Sequence, residues 1–236
     1  MVEHPWRSAA YLRSVAGPGR IVPVEVGEDY RAHEWTQELI DWEAFLASLH
    51  LADQPPPPPQ RANIFYLAQH NLIQQFPSLR ADIVVPDYVY ASMDPPEFTS
   101  YKPPGNDEQL VINMWLGPGG TISPAHTDPY YNLFVQVVGH KTVWLAPSQV
   151  TPSMYRYSSN EDFQNFAANS TEPSMTNTSR VDVFSAQTEE FRDFWDGVVP
   201  KAMSAVLEPG DLLYIPPGWW HAMRSEETSF SVSMWF

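Results

Sequence analysis

Twenty-four prolines and eleven glycines are spread through the 236 residues of this chain. Proline lacks the amide a helix interior needs, and glycine weakens helices entropically, so punctuation this dense breaks long helices. The chain therefore calls for short strands joined by many turns rather than a helical bundle. Its length suits one large domain or two small ones, with a core that needs no staple to fold. A disulfide is impossible in any case, because there is no cysteine. The same absence excludes cysteine nucleophiles, thiolate zinc sites and iron–sulfur clusters. Hydrophobic residues make up 43% of the chain and aromatics 14%, which places it among globular rather than disordered sequences.

The formal net charge is −15, from 13 basic and 28 acidic residues. A surface this acidic repels phosphate backbones, so no direct nucleic-acid binding is expected and a basic protein or peptide partner is favoured. No apolar stretch reaches the length a bilayer requires; Leu133–Val138 is among the longest. The first residues, with Glu3, His4 and Arg7, contain no apolar signal core, so a soluble intracellular protein is expected. Neither nucleus nor cytoplasm is singled out, since Lys and Arg never cluster. The glycosylation-like tripeptides at Asn169 and Asn177 then read as chance matches.

Along the chain, Glu34–Leu51 has apolar residues near a 3.6 period (Trp35, Leu39, Trp42, Phe45, Leu46, Leu49) and is predicted to be a helix. It ends before the run Pro55–Pro59, which must be extended. Asp94–Asp107 and Ser148–Pro200 are further extended, polar stretches, the latter with a predicted helix at Thr188–Phe194. Between them lie strand patterns. Leu110–Leu116 sets Val111, Asn113 and Trp115 against Ile112, Met114 and Leu116. Asn132–Val138 and Lys141–Leu145 flank Gly139-His140, a link that suits a type II′ hairpin. Leu212–Ile215 follows a Pro-Gly turn. Ser229–Phe236 alternates serines and Trp235 against Phe230, Val232, Met234 and Phe236, so one face packs in a core while the other lines something wet. These strands predict a small β-barrel or double-sheet jelly roll around a pocket.

Two residues apart on an extended chain, His126 and Asp128 point the same way and can reach one metal ion. Alone the pattern arises by chance about as readily as by function. His221, after the turns that begin at Glu208 and Pro216, is the best third ligand. Two histidines and a carboxylate form the facial triad of non-haem Fe(II) oxygenases. Were the co-substrate a 2-oxo acid, its far carboxylate would need a cation, for which Lys141 is a candidate; an exposed turn lysine is the plainer reading.

The run Gly117-Pro-Gly-Gly-Thr-Ile-Ser-Pro-Ala-His126-Thr-Asp128, together with Tyr214-Ile-Pro-Pro-Gly-Trp-Trp-His221, resembles the Jumonji C (JmjC) oxygenases. The resemblance is closer to the arginyl-hydroxylase branch formerly called lysine demethylase 8, on Ile21-Val-Pro-Val-Glu-Val-Gly27, Tyr66-Leu-Ala-Gln-His70, Asn177-Thr-Ser-Arg-Val-Asp-Val183 and Ser229-Phe-Ser-Val-Ser233. It extends from about Trp6 to Phe236. It implies an all-β core with flanking helices, a double-stranded β-helix of the cupin-like, jelly-roll type. The expected organisation is one JmjC oxygenase domain over residues 1–236, with a strand/helix extension over about 1–60 and insertions at 52–62, 94–107 and 148–200.

The resemblance further implies Fe(II), 2-oxoglutarate and O2 as co-substrate. His126, Asp128 and His221 would hold the iron. Tyr66, Ser123, Asn132 and Lys141 would bind 2-oxoglutarate. Glu25, Gln69, Trp115 and Trp235 would receive an arginine side chain of a protein or peptide. A carboxylate, an amide and indole faces suit a planar guanidinium, whereas methyl-lysine prefers an aromatic cage. Against that, Glu25 read alone is a solvated strand charge, and the two tryptophans are core aromatics. Three alternatives stand beside arginine hydroxylation: an N-methyl-lysine demethylase of the same family, a catalytically silent JmjC protein-binding module, and a cupin holding another divalent metal. The sequence does not set the oligomeric state.

Overall fold

The computed structural model describes residues 4–55, 64–91, 93, 101–157 and 175–236. The described strands are β1 Ile21–Val26, β2 Thr36–Asp41, β3 Phe65–His70, β4 Val111–Gly117, β5 Ile122–Thr127, β6 Asn132–Val138, β7 Lys141–Ala146, β8 Met203–Leu207, β9 Leu212–Ile215, β10 Trp220–Ser225 and β11 Ser229–Trp235. Every pairing between them is antiparallel. They form a seven-stranded sheet, β2-β1-β3-β4-β11-β6-β9, and a four-stranded sheet, β5-β10-β7-β8. From β4 to β7 the chain crosses from one sheet to the other at each strand, which is the jelly-roll path of a cupin-like domain.

Alternation along the strands sorts residues between the outside and the inside of this sandwich. Phe230, Val232, Met234 and Phe236 pack in an outer core with Trp6, Leu12, Phe45 and Leu46, supplied by α1 (Ala9–Ala16), α2 (Trp42–Leu49) and the turn before α1. Met114 and Leu116 join that core as their alternation predicts. The small sheet is covered on its outer side by α4 (Arg192–Gly197), whose Phe194 packs with Trp144 and Trp220. The short α3 (Leu72–Gln75) follows β3. Between the sheets lie Phe134, Val143, Leu145, Ile215 and Met223. Ser231 and Ser233 are buried on that inner side.

Three expectations fail locally. Glu34–Leu51 is not one helix: Thr36–Asp41 is strand β2, paired residue for residue with β1, and the helix begins only at Trp42. Asp41 makes the boundary by accepting hydrogen bonds from the amides of Glu43 and Ala44, an N-cap that stops the helix extending backwards. Leu39, counted toward the helical face, is 75% exposed. Gly139-His140 does not close a hairpin either, because β6 pairs with β11 and β9 while β7 pairs with β10 and β8. The link instead carries the chain between sheets. The predicted helix at Thr188–Phe194 starts later, as a 3-10 turn at Glu189–Phe191 leading into α4. Pro56–Pro59, 94–100 and 158–174, within the three predicted insertions, lie outside the described residues, as does Asn169.

Gly139 is required at its crossing. Its φ is +71°, and a Cβ there would sit 2.2 Å from the carbonyl oxygen of Thr228. Gly139→Ala is expected to cost on the order of 3 kcal/mol, from left-handed strain plus a backbone clash. Gly210 also has positive φ, at +101°, but open space around it. Gly210→Ala is therefore expected to cost only about 1 kcal/mol. Denaturant unfolding of the two variants checks the ordering; equal losses would mean the clash is relieved by movement of the β10–β11 turn.

Candidate functional site

The site is assembled by the register of two neighbouring strands. On β5, Ser123 and His126 are separated from Asp128 by a chain that is still extended. On β10, His221 lies directly across from His126, and a register shift follows between His221 and Met223. Bulges of this kind re-aim side chains next to functional sites. Gly218 in the Pro216–Trp219 turn donates its amide to the Asp128 carbonyl at 2.8 Å, fixing the approach of His221 to Asp128.

His126, Asp128 and His221 each present a ligating atom, all within 4.8 Å of one another. Asp128 Oδ2 lies 3.5 Å from His221 Nε2 and 4.0 Å from His126 Nε2. The Nδ1 atoms face outward, bonding to the Pro124 carbonyl at 2.7 Å from His126 and to the Trp219 carbonyl at 3.1 Å from His221. Each carbonyl requires a proton on Nδ1, which leaves Nε2 as a bare lone pair aimed at the centre. Burial, then the neighbouring His221, pulls the His126 imidazole down to about 4, against weaker support from Asp128 and the Pro124 carbonyl. Burial alone would raise the Asp128 carboxyl, but the two imidazoles beside it, His221 foremost, hold it below its ordinary value. Two neutral imidazoles and one carboxylate are the donor set of a divalent metal with open positions.

The other edge of β5 is occupied by the segment after residue 174. Asn177 O accepts from Thr127 N at 3.0 Å, its side chain donates back to Thr127 O at 2.9 Å, and Ser179 N donates to Ala125 O at 2.8 Å. The motif Asn177–Val183 therefore works as a short brace along the strand that carries His126.

Deeper between the sheets, Lys141 is 1% exposed and donates to the Tyr66 phenol at 3.3 Å. Its ammonium also sits over the rings of Tyr66 and Phe134. The turn-lysine reading is thereby excluded. Burial pulls Lys141 down to about 7. Tyr66, whose hydroxyl also meets Ser123, is raised by burial. Tyr66, Ser123, Asn132 and Lys141 line one cavity with the three ligating residues. The Asn132 side-chain oxygen Oδ1 and the Trp235 indole N–H are buried there without a partner. Buried polar atoms without partners are costly, so a cavity that holds them fits a polar guest.

Above this cavity opens a vestibule of about 670 Å³, lined by Glu25, Gln69 and Trp115 among others. Trp235 does not line it; it sits in the inner cavity, stacked on Tyr130 at 5.0 Å. Trp115 borders both spaces and donates to Ser233 at 3.2 Å. Gln69 has φ +49°, a left-handed conformation uncommon for a residue with a side chain, at the register shift of β3. Burial, opposed by the neighbouring Trp35 indole and reinforced by Asp29, pushes Glu25 up to about 7. Sequence reasoning missed Tyr30, Trp35 and Thr178, which also line the vestibule. Tyr30 sits in a polar β1–β2 loop without periodicity, and Trp35, counted toward the predicted helix, lies at that loop's end. Tyr130 was equally unmarked, although an aromatic two residues after Asp128 was a usable signal.

A family model described as a cupin-like domain matches residues 7–236. The chain is 38% identical over 236 residues to Lysine-specific demethylase JMJ30 of Arabidopsis thaliana, covering 98% of this chain and 46% of the relative. It is 39% identical to Jumonji C domain-containing protein 5 of Drosophila melanogaster, over 99% of this chain and 51% of the relative. It is 38% identical to Lysine-specific demethylase 8 of Danio rerio, over 99% of this chain and 49% of the relative. The chain thus spans about half the length of the curated relatives it matches. Among the described residues, no helix is long and apolar enough to cross a membrane.

Proposed function

Since the chain belongs to the cupin-like JmjC family, whose enzymes use Fe(II) and 2-oxoglutarate, we propose that it is an oxygenase of this kind that hydroxylates an arginine side chain of a protein substrate. When bound, iron with 2-oxoglutarate and O2 supplies the power to insert one oxygen atom into a C–H bond, releasing succinate and carbon dioxide. The chain's own residues do the rest. His126, Asp128 and His221 would hold the metal on one side, leaving positions open toward the cavity. Lys141 and Tyr66, helped by Ser123 and Asn132, would take the far carboxylate of 2-oxoglutarate. A charge-assisted bond inside a dry cavity is stronger than a neutral one and suits a dianion. Trp115 and Trp235 exclude water around the metal-facing space, and the vestibule walls orient the substrate side chain.

The observation that carries the arginine reading is Glu25, a half-buried carboxyl raised to about 7 at the vestibule and set near Gln69 and indole faces. A guanidinium offers five donors in a plane, and a carboxylate with an amide accepts them while tryptophan stacks. Arginine binding favours the ionised carboxylate, so affinity for an arginine peptide should rise with pH through about 7 and level off above it. Glu25→Gln should remove that pH dependence and weaken binding by roughly tenfold to a hundredfold. Titration of peptide binding by calorimetry at several pH values checks both; an unchanged pH profile in the variant would move the titration to another group.

The printed names of two relatives favour a second reading, lysine demethylation. The products separate the two. Arginine and methyl-lysine peptides incubated with protein, Fe(II), ascorbate and 2-oxoglutarate are to be weighed intact. One added oxygen on arginine is the expected result. Loss of a methyl group from lysine, with arginine unchanged, would replace the proposal with the demethylase.

A further inference from the structure

The β1–β2 loop and the segment after residue 174 are far apart in the chain, yet both wall the vestibule. Tyr30 and Trp35 line it from the first, beside Glu25 at the end of β1, and Asn177 and Thr178 line it from the second. One side chain ties the walls together. Arg31 donates from Nε and one terminal nitrogen to the two oxygens of Asp29, at 3.0 and 2.8 Å. Its other terminal nitrogen reaches across to the carbonyl of Val181 at 3.2 Å. Arg31 is 13% exposed and Asp29 12%, so the fork works largely out of water. Tyr30 and Thr178 stand beside it, both lining the vestibule.

We propose that Arg31, held by Asp29, is a positioning residue that latches the β1–β2 loop onto the Asn177–Val181 brace and so sets the width and shape of the substrate vestibule. The planar fork is needed for this. Two of its donors engage one carboxylate while a third faces away toward a carbonyl on another segment, a geometry an ammonium cannot reproduce. The consequence is selective. Arg31 touches neither the metal-facing atoms nor Lys141, so releasing it loosens the walls and leaves the inner cavity intact. Glu25 lies near the end of strand β1 just before the loop, and Trp35 closes the loop just before β2. A loose loop therefore shifts Tyr30 and Trp35, which wall the space in front of Glu25 and Gln69, while the reacting centre is unchanged.

The functional half of this inference rests on the vestibule being the protein substrate's entrance, and two independent readouts keep the halves apart. Arg31→Met is the direct variant; Asp29→Asn with Arg31→Met removes the latch without leaving an unpaired buried charge. Hydrogen exchange on the full chain should show amides of residues 27–35 and 176–182 opening together, roughly tenfold faster, in both variants. With arginine peptide as substrate, KM should rise about tenfold while kcat and 2-oxoglutarate affinity stay within about twofold. Exchange that changes in only one segment, or in neither, overturns the latch. Altered exchange with unchanged KM overturns its role in substrate positioning. If the wild-type protein modifies no arginine peptide, the substrate reading falls while the coupled exchange still upholds the latch.

Discussion

Replacing His126 by alanine is expected to abolish iron retention and 2-oxoglutarate turnover together, while the protein keeps its fold. The backbone of β5 is anchored on one side by β10 and on the other by Asn177 and Ser179, so its path does not depend on the imidazole. What disappears is one of two neutral nitrogen donors, already desolvated and oriented by the Pro124 carbonyl. Losing a mere orienting partner typically costs tenfold to a hundredfold in metal affinity, so losing the donor itself should cost more than about a hundredfold. Metal analysis after dialysis and succinate formation are the two measurements, with circular dichroism melting as the check on folding. A His126→Ala protein with full turnover would remove the triad assignment, whatever its metal content.

How far such a site can be read from sequence depends on whether the relevant geometry is local. The spacing of His126 and Asp128 is local, and period-two alternation on β4 and β11 is local, so both were legible. Placing His221 beside them required a register between β5 and β10, for which the turns at Pro209-Gly210 and Pro216–Gly218 gave only an approximate return path. The carbonyls of Pro124 and Trp219 that set the imidazole tautomers leave no sequence signature, because any residue supplies a carbonyl. The mistaken hairpin at Gly139-His140 has a similar cause: a tight Gly-X link is short whether the strands pair or diverge, and only the pairing of β11 beside β6 decides. The mistaken helix start arose because Leu39 fell on the helical face by coincidence, while the decisive residue was the polar Asp41. Arg180 and Asp182 sit in a motif whose role becomes clear through its neighbours: Asn177 and Ser179 bond to β5, and Val181 offers its carbonyl to Arg31.

Lys141→Met should leave metal binding in place and all but eliminate 2-oxoglutarate binding. The methionine side chain replaces the buried lysine stem with an apolar one of similar volume, so the cavity walls keep their packing. Removing one partner of a buried charge pair costs about 3–5 kcal/mol, or two to four orders of magnitude in affinity. The pH dependence supplies a second signature. Burial holds Lys141 at about 7 in the free protein, whereas the bound dicarboxylate favours the ammonium. Below about 7 the charge is already present and affinity is flat; above it the lysine must take up a proton on binding, so affinity falls by up to about tenfold per pH unit. Calorimetry from about pH 6 to about pH 9, in buffers of different ionisation enthalpy, reads both the affinity and the proton uptake. Wild-type binding that is independent of pH across that range, without proton uptake, would mean that the carboxylate is held by Tyr66, Ser123 and Asn132 as neutral donors and that Lys141 is not its counter-ion.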